Sequence, residues 1–368
     1  MNSKAVQMTS PRPSRLADRM PGYKPADFSI NAGTKLLQLS RNESAIRLPH
    51  AWLEAARRAT TQAVLYPDPE CQLLRRAIAD TFYLDSDRII CGAGLMECLQ
   101  TLALAYLDPG DRVIIPEHAF AYFRQVCELA GADVNLLPEK DLRVDVRSIL
   151  EAADDSTKMV IFANPGNPTG TYVCKQGIAE LRNRLSAATL LVIDEAYAEF
   201  VCEDRYEPLF DLTDSANVIV LRTFSKMYGL AGFRVAWGYG PKAVVNNALR
   251  VQIPAAVNSV AQSIAAAAVA DQPFVQSFKR ELLRIRRRFI NQLRGIPRVS
   301  PVESETNFVL LRTNSEPDAR DLDGFLRQHG IVLRTQPAVG LSNYLRATIG
   351  TEEQMQYVAA TIRQWCTK

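Results

Sequence analysis

A chain of 368 residues, 47% hydrophobic and 23% charged, has the make-up of an ordinary globular protein of about two domains. Its formal charge of +3 is too small for this length to draw it to nucleic acid or to an acidic membrane surface. Three histidines, and seven cysteines scattered without a CxxC pair, argue against a histidine-rich metal centre.

The first forty or so residues are rich in Pro, Ser and Gly and read as an irregular arm. The opening MNSKAVQMTSPRPSRLADRM lacks the apolar core of a secretory signal, and no run of about twenty apolar residues follows, so a cytoplasmic protein is expected. A helix is predicted from Trp52 to Ala63, broken by the two prolines of LYPDPE, and QLLRRAIADTFY forms a second amphipathic helix. Short apolar strands then alternate with helices. They run RIICG, ECLQTLALAYL, RVIIPE, FRQVCELAG, DVNLLP, KMVIFANP, IAELRNRL, LLVIDEAY and VIVLRTF, and FRVAWGYG adds one more strand. This alternation predicts βαβ units and a mostly parallel, doubly wound sheet.

Beyond a long helical stretch from Asn258 to Arg294 the rhythm changes. NFVLLRT, GIVLRTQ and YLRATIG read as strands separated by helices, and TEEQMQYVAATIRQW as a closing helix, which together predict a smaller α+β domain. The expected division is an arm over 1–45 that joins the small domain, a large domain over 46–270 and a small domain over 271–368. The basic run RELLRIRRRF reads as a partly buried helix with a solvated cationic face, and Cys91 and Cys127 as small core residues.

Ligands of open parallel sheets collect at the carboxyl ends of strands. Five loops occupy such ends: GAGLME, HAFAYF, PGNPTG, DEAY and FSK. They deliver Asn167, Asp194, Tyr197, Ser225 and Lys226, with Arg234 eight residues on. Each has an ordinary structural reading: a turn amide, a helix-capping carboxylate, a solvated lysine. Together they are what pyridoxal 5′-phosphate requires. That cofactor needs a lysine for a Schiff base, an acid to keep its ring nitrogen protonated, and donors for its ring oxygen and phosphate.

The order GAG…NPGNPTG…DEAY…TFSKMYGLAGFR…RATIG resembles the fold-type I pyridoxal-phosphate aminotransferases of class I/II, most closely the histidinol-phosphate aminotransferase branch, from about Gly22 to the C-terminus. The resemblance implies an α/β fold with a mostly parallel seven-stranded sheet in the large domain. It implies that Lys226 carries the cofactor and later shuttles a proton, that Asp194 pairs with the pyridine nitrogen, and that Asn167 and Tyr197 hold the ring oxygen. Ser225, Arg234 and the loop Gly94-Leu95-Met96 would hold the phosphate, and Phe120 would stack on the ring. Tyr66 matches a tyrosine that reaches the neighbouring subunit's cofactor, which implies a homodimer with shared active sites. Arg346 matches the clamp for the substrate α-carboxylate, while Tyr23 and Arg334 match positions lining the substrate side chain.

Three departures bear on the substrate. Leu95-Met96 stand where the branch has a hydroxyl or small residue and an aspartate, Ala255-Ala256 replace an aromatic and an asparagine, and LSRNESAIRLP replaces the usual arm turn while keeping Asn42 and Glu43. The expected reaction moves an amino group between an amino acid and a 2-oxo acid or phosphorylated ketone, with histidinol phosphate and 2-oxoglutarate as the first pair. An aminotransferase for aromatic or specialised amino acids, or a decarboxylase or cyclase on the same scaffold, remains an alternative. A ligand-sensing regulator is disfavoured, because the residues before Gly22 are too few and too Pro-rich for a helix-turn-helix.

Overall fold

The structure, a computed structural model, describes residues 12–14, 18, 35–202, 204–215 and 217–367. Seven strands form the large sheet: β2 (Ile89–Gly92), β3 (Arg112–Pro116), β4 (Asp133–Leu137), β5 (Thr157–Ala163), β6 (Leu190–Asp194), β7 (Val218–Thr223) and β8 (Ala236–Tyr239). Their spatial order is β2-β8-β7-β6-β5-β3-β4. The run from β7 to β4 is parallel, and β8 lies antiparallel between β2 and β7. The mostly parallel sheet read from the sequence is therefore present, with seven strands.

The middle strands explain themselves chemically. In β6 and β7 every residue is buried, and in β5 all but Lys158 are. Parallel strands covered by helices on both faces cannot alternate polar and apolar side chains, so MVIFA, LLVI and VIVL are continuous apolar runs. Each fully buried Val, Leu or Ile contributes roughly 1.5–3 kcal/mol by leaving water. At the sheet edge β4 is only partly covered, and its DVNLL sequence tolerates an asparagine. Cys91 and Cys127 are buried, as expected.

A second sheet, antiparallel in the order β12-β13-β10-β9, joins β9 (Val299–Pro301), β10 (Phe308–Thr313), β12 (Arg334–Gln336) and β13 (Leu341–Thr348). The arm enters this unit as β1 (Leu37–Gln38), parallel to β11 (Ile331–Val332). Main-chain bonds continue the pairing: Leu39 N–H donates to Val332 O at 2.9 Å, and Thr348 N–H donates to Leu39 O at 2.9 Å. The stretch just before Asn42 is thus held on the smaller sheet, facing the C-terminal ends of the large one.

Two expectations need correction and a third gains detail. GIVLRTQ is not one strand: Leu333 separates β11 from β12, and the chain changes partner there from β1 to β13. The helical stretch expected over Asn258–Arg294 is present and, in finer detail, consists of two helices, Ser259–Ala270 and Gln272–Leu293. Asp271 divides them, its side chain accepting from Phe274 N–H at 3.3 Å, with Pro273 in the first turn of the second helix where its missing N–H costs nothing. In the basic run, Arg284, Arg287 and Arg288 are exposed, but Arg286 is buried and donates to Phe200 O, Thr306 O and Glu305. No helix among the described residues is long and apolar enough to cross a membrane.

Candidate active site

Strand ends of the large sheet bring the chemistry together. Asp194 is the last residue of β6, and the chain turns immediately so that its Oδ1 accepts from Ala196 N–H at 2.8 Å. Burial pushes this carboxyl up to about 7, opposed by that N–H and by the Lys226 charge, with Glu195 pushing the same way as burial. Lys226 lies three residues beyond β7, where Ser225 N–H donates to Thr223 Oγ1 at 3.1 Å and shapes the turn. Its Nζ donates to Asn42 O at 3.1 Å and Arg41 O at 3.3 Å, and stands 5.9 Å from the Tyr197 ring centroid. Burial lowers the amine to about 8, helped by the cations Arg346 and Arg234 and resisted by Glu43 and Asp194. The lysine at the end of VIVLRTF is therefore no solvated surface cation. It is a partly buried amine (a substantial minority of it neutral near pH 7.5) in electrostatic reach of a buried acid.

Tyr197 is buried, its ring edge-on to Phe308 at 5.2 Å, and its hydroxyl accepts from Asn42 Nδ2 at 2.9 Å. Arg346 comes from β13 of the smaller sheet. Its Nη1 donates to Asn167 Oδ1 at 2.6 Å and its Nη2 to Ser40 O at 3.0 Å. Burial holds Arg346 down to about 10, partly offset by Tyr197, and Arg334 adds to the depression. Arg334 is its direct partner in the β12–β13 register, so the two arginines share one face of the smaller sheet. Among the described residues, Arg346 Nε, Ser40 Oγ and Asn307 Oδ1 are buried without a protein partner. Buried polar atoms are normally satisfied, and these three leave both donors and acceptors open to a ligand, as do eight further side-chain atoms among the described residues.

One end of the site is a helix start. Gly94, at φ +89°, precedes the helix Leu95–Tyr106, and a Cβ there would overlap the Arg234 guanidinium. Arg234 takes a left-handed backbone at φ 55° and donates through Nη1 to Ala231 O at 3.0 Å. Glu97 folds back to accept from Ala93 N–H at 3.2 Å, from Thr101 and from Gln252, which fixes the loop from below. Backbone N–H groups at a helix start beside a guanidinium make an anion cradle.

Phe120 caps the helix Ala121–Leu129, partly buried and edge-on to Phe123 at 5.8 Å. Tyr66 is not in this chain's own cluster: it is 96% exposed, beside Val64 and Leu65, which are also exposed. Tyr23 lies outside the described residues.

With this geometry, comparison with known proteins is decisive. The family model described as "Aminotransferase class I and II" matches residues 34–362. The chain belongs to the class I and II aminotransferases. It is 40% identical to a histidinol-phosphate aminotransferase of Maricaulis maris, over 90% of this chain and 92% of the relative. It is 37% identical to that of Granulibacter bethesdensis, over 97% and 96%. The histidinol-phosphate aminotransferase of Sinorhizobium meliloti, solved in complex with pyridoxal-5′-phosphate, superposes with a TM-score of 0.90 at 25% identity, covering 98% of this chain and 99% of that one. An aspartate aminotransferase of Thermus thermophilus, at 22% identity and a TM-score of 0.84 over 97% of this chain and 100% of that one, shares the fold.

Sequence reading missed one supporting feature of this aminotransferase. Arg222 of β7 is buried, donates to Glu195 Oε2 at 2.9 Å and to Tyr206, and lies 4.6 Å from the Phe210 ring centroid. Burial alone would depress it, but Tyr206, Glu195 and Glu199 hold it above its ordinary value. The Arg222–Glu195 pair pins the residue that follows Asp194, and so fixes the strand end that presents the acid.

Proposed function

We propose that this protein is a pyridoxal-phosphate-dependent histidinol-phosphate aminotransferase. The observation that carries the reading is the meeting of Lys226, Asp194, Tyr197, Asn167 and Arg346 in one cluster of a chain 40% identical to such an enzyme. The residues fit the cofactor. The cradle of Gly94 and Arg234 suits a phosphate dianion, and Arg346 Nε, Ser40 Oγ and Asn307 Oδ1, buried without protein partners, leave donors and acceptors free.

When bound, pyridoxal 5′-phosphate supplies an aldehyde that condenses with amines and a protonated ring that takes up the electron pair released at the substrate carbon. The protein's residues divide the remaining work. Lys226, lowered to about 8, keeps roughly a tenth of its amine neutral at pH 7 and so serves as nucleophile. Freed from the cofactor, the same amine would take the proton from the substrate carbon and deliver it to the cofactor's aldehyde carbon, two atoms away across the nitrogen. Asp194 would pair with the ring nitrogen; its pKa, raised by burial, would fall with a cationic N–H opposite. Tyr197 and Asn167 would donate to the ring oxygen; Arg346, by occupying Asn167 Oδ1, leaves the amide nitrogen of Asn167 as the donor. Ser225, Arg234 and the N–H groups of Leu95 and Met96 would hold the phosphate, and Phe120 would cover the ring.

Two arginines side by side suit two substrates. The Arg346 fork binds the carboxylate of the amino-acid partner, and Arg334 takes the phosphate of the phosphorylated one. Tyr66, too exposed to act within its own chain, reaches the phosphate site of a second copy, and the enzyme is a homodimer with shared sites.

The test uses the purified holoenzyme and its visible absorption. Histidinol phosphate alone should abolish the absorption of the lysine-bound cofactor, and 2-oxoglutarate should restore it. Loss with aromatic amino acids but not with histidinol phosphate would overturn the substrate assignment. Release of carbon dioxide with the absorption retained would overturn transamination.

A further inference from the structure

Asn42 sits at the centre of the cluster without being one of the expected cofactor contacts. It is buried, with a left-handed backbone at φ 54°, a conformation that asparagine tolerates better than other side-chain-bearing residues. That backbone is held at both ends: its N–H donates to Thr348 Oγ1 at 3.0 Å, and its carbonyl accepts from Lys226 Nζ and from Asn307 Nδ2, each at 3.1 Å. Its side chain is held too, because Oδ1 accepts from Thr348 Oγ1 at 3.3 Å while Nδ2 donates to the Tyr197 oxygen at 2.9 Å. In this arrangement the amide nitrogen of Asn42 faces the Tyr197 oxygen, which therefore meets a donor there.

We infer that Asn42 is a positioning residue that sets the direction and strength of Tyr197's own hydrogen bond. A hydroxyl whose oxygen already accepts from an N–H must turn its hydrogen elsewhere, and it donates that hydrogen more strongly. On the reading above, on which this inference rests, that hydrogen goes to the cofactor's ring oxygen. Negative charge there depends most on outside donors when the neighbouring lysine-bound nitrogen has lost its proton. A stronger Tyr197 donor therefore favours the deprotonated linkage and lowers the pH at which the resting absorption changes. Asp194, Arg346, Lys226, Glu43 and Arg234, the charged groups acting on Tyr197 and Lys226, stay in place when Asn42 is replaced.

The experiment is a double-mutant cycle read by absorbance titration of the resting holoenzyme, without substrate. Asn42→Gly keeps the left-handed backbone and its carbonyl but removes the amide. It should raise the titration midpoint by roughly half to one unit, the equivalent of one hydrogen bond. Tyr197→Phe should raise the midpoint by at least as much, and adding N42G to Y197F should raise it no further. Equal shifts from N42G in both backgrounds, or no shift in either, overturn the inference. Should N42G lose its cofactor, Asn42→Ser, whose hydroxyl is too short to reach Tyr197, must give the same pattern. The two levels fail differently: a midpoint unmoved by Y197F sinks the assignment of Tyr197 to the cofactor, whereas a midpoint moved by Y197F but not by N42G sinks only the role of Asn42.

Discussion

Replacing Asp194 by Asn in the cofactor-free protein isolates the electrostatic cost of the buried acid. The carboxyl rises from 3.8 to about 7, chiefly through burial. The folded chain therefore holds a proton over a range in which the unfolded chain has lost it. Stability contributed by this group is complete below about pH 4 and falls as pH rises through about 7. Three pK units at 1.36 kcal/mol each set a ceiling of about 4 kcal/mol at pH 8. Asn keeps the acceptor for Ala196 N–H and removes the titration. The D194N apoprotein should therefore match wild type near pH 4 and melt several degrees higher near pH 8. Lys226, lowered to about 8, acts in the opposite sense and higher up, its contribution rising with pH between about 8 and 10.5. Glu139, pushed up to about 7 by burial and by Glu117, gives the same slope as Asp194, so only the difference between variant and wild type is diagnostic. Thermal melts of stripped protein between pH 4 and 8 supply that difference. Parallel curves would show that Asp194 is not buried at a cost, and the claim that it awaits a cationic ring nitrogen would fall with it.

Three further outcomes follow from the same geometry. Gly94→Ala places a methyl against Arg234 at φ +89°, a strain of about 1–2 kcal/mol, so the dissociation constant for pyridoxal 5′-phosphate should rise by about fivefold to thirtyfold; unchanged affinity in a fluorescence titration would remove Gly94 from the cradle. Arg222→Met strands Glu195 and Glu199 in the interior and should destabilise the fold by roughly 3–5 kcal/mol in denaturant melts, while a loss under 1 kcal/mol would make the cluster ornamental. Mixing inactive Lys226→Ala subunits with Tyr66→Ala subunits should regenerate activity, because each mixed dimer has one site with both residues intact; no recovery after subunit exchange would refute the shared site.

What the sequence disclosed, and what it hid, has a physical pattern. Apolar strands followed by abrupt polar residues announced Asp194 and Lys226, because a parallel sheet leaves its strand ends as the natural place for a buried charge. Arg346 was legible from its motif, but its hold on Asn167 joins residues 179 positions apart and depends on how two sheets face each other. Nothing local in VIVLRTF reveals that Glu195, Glu199 and Tyr206 converge on its arginine. Arg286 was hidden inside a run of cations whose other members are exposed. The break at Leu333 follows from pairing with two different strands, which periodicity within one segment does not encode. Asn42 persisted in the arm as a motif residue, but its left-handed backbone and fourfold anchoring emerge only from the fold.

The central claim is a covalent one, and borohydride reduction of the holoenzyme followed by peptide mass spectrometry tests it most directly. The account predicts a phosphopyridoxyl group on the Lys226 Nζ and on no other lysine. Modification of a different lysine, or of none in protein that retains its yellow colour, would contradict it.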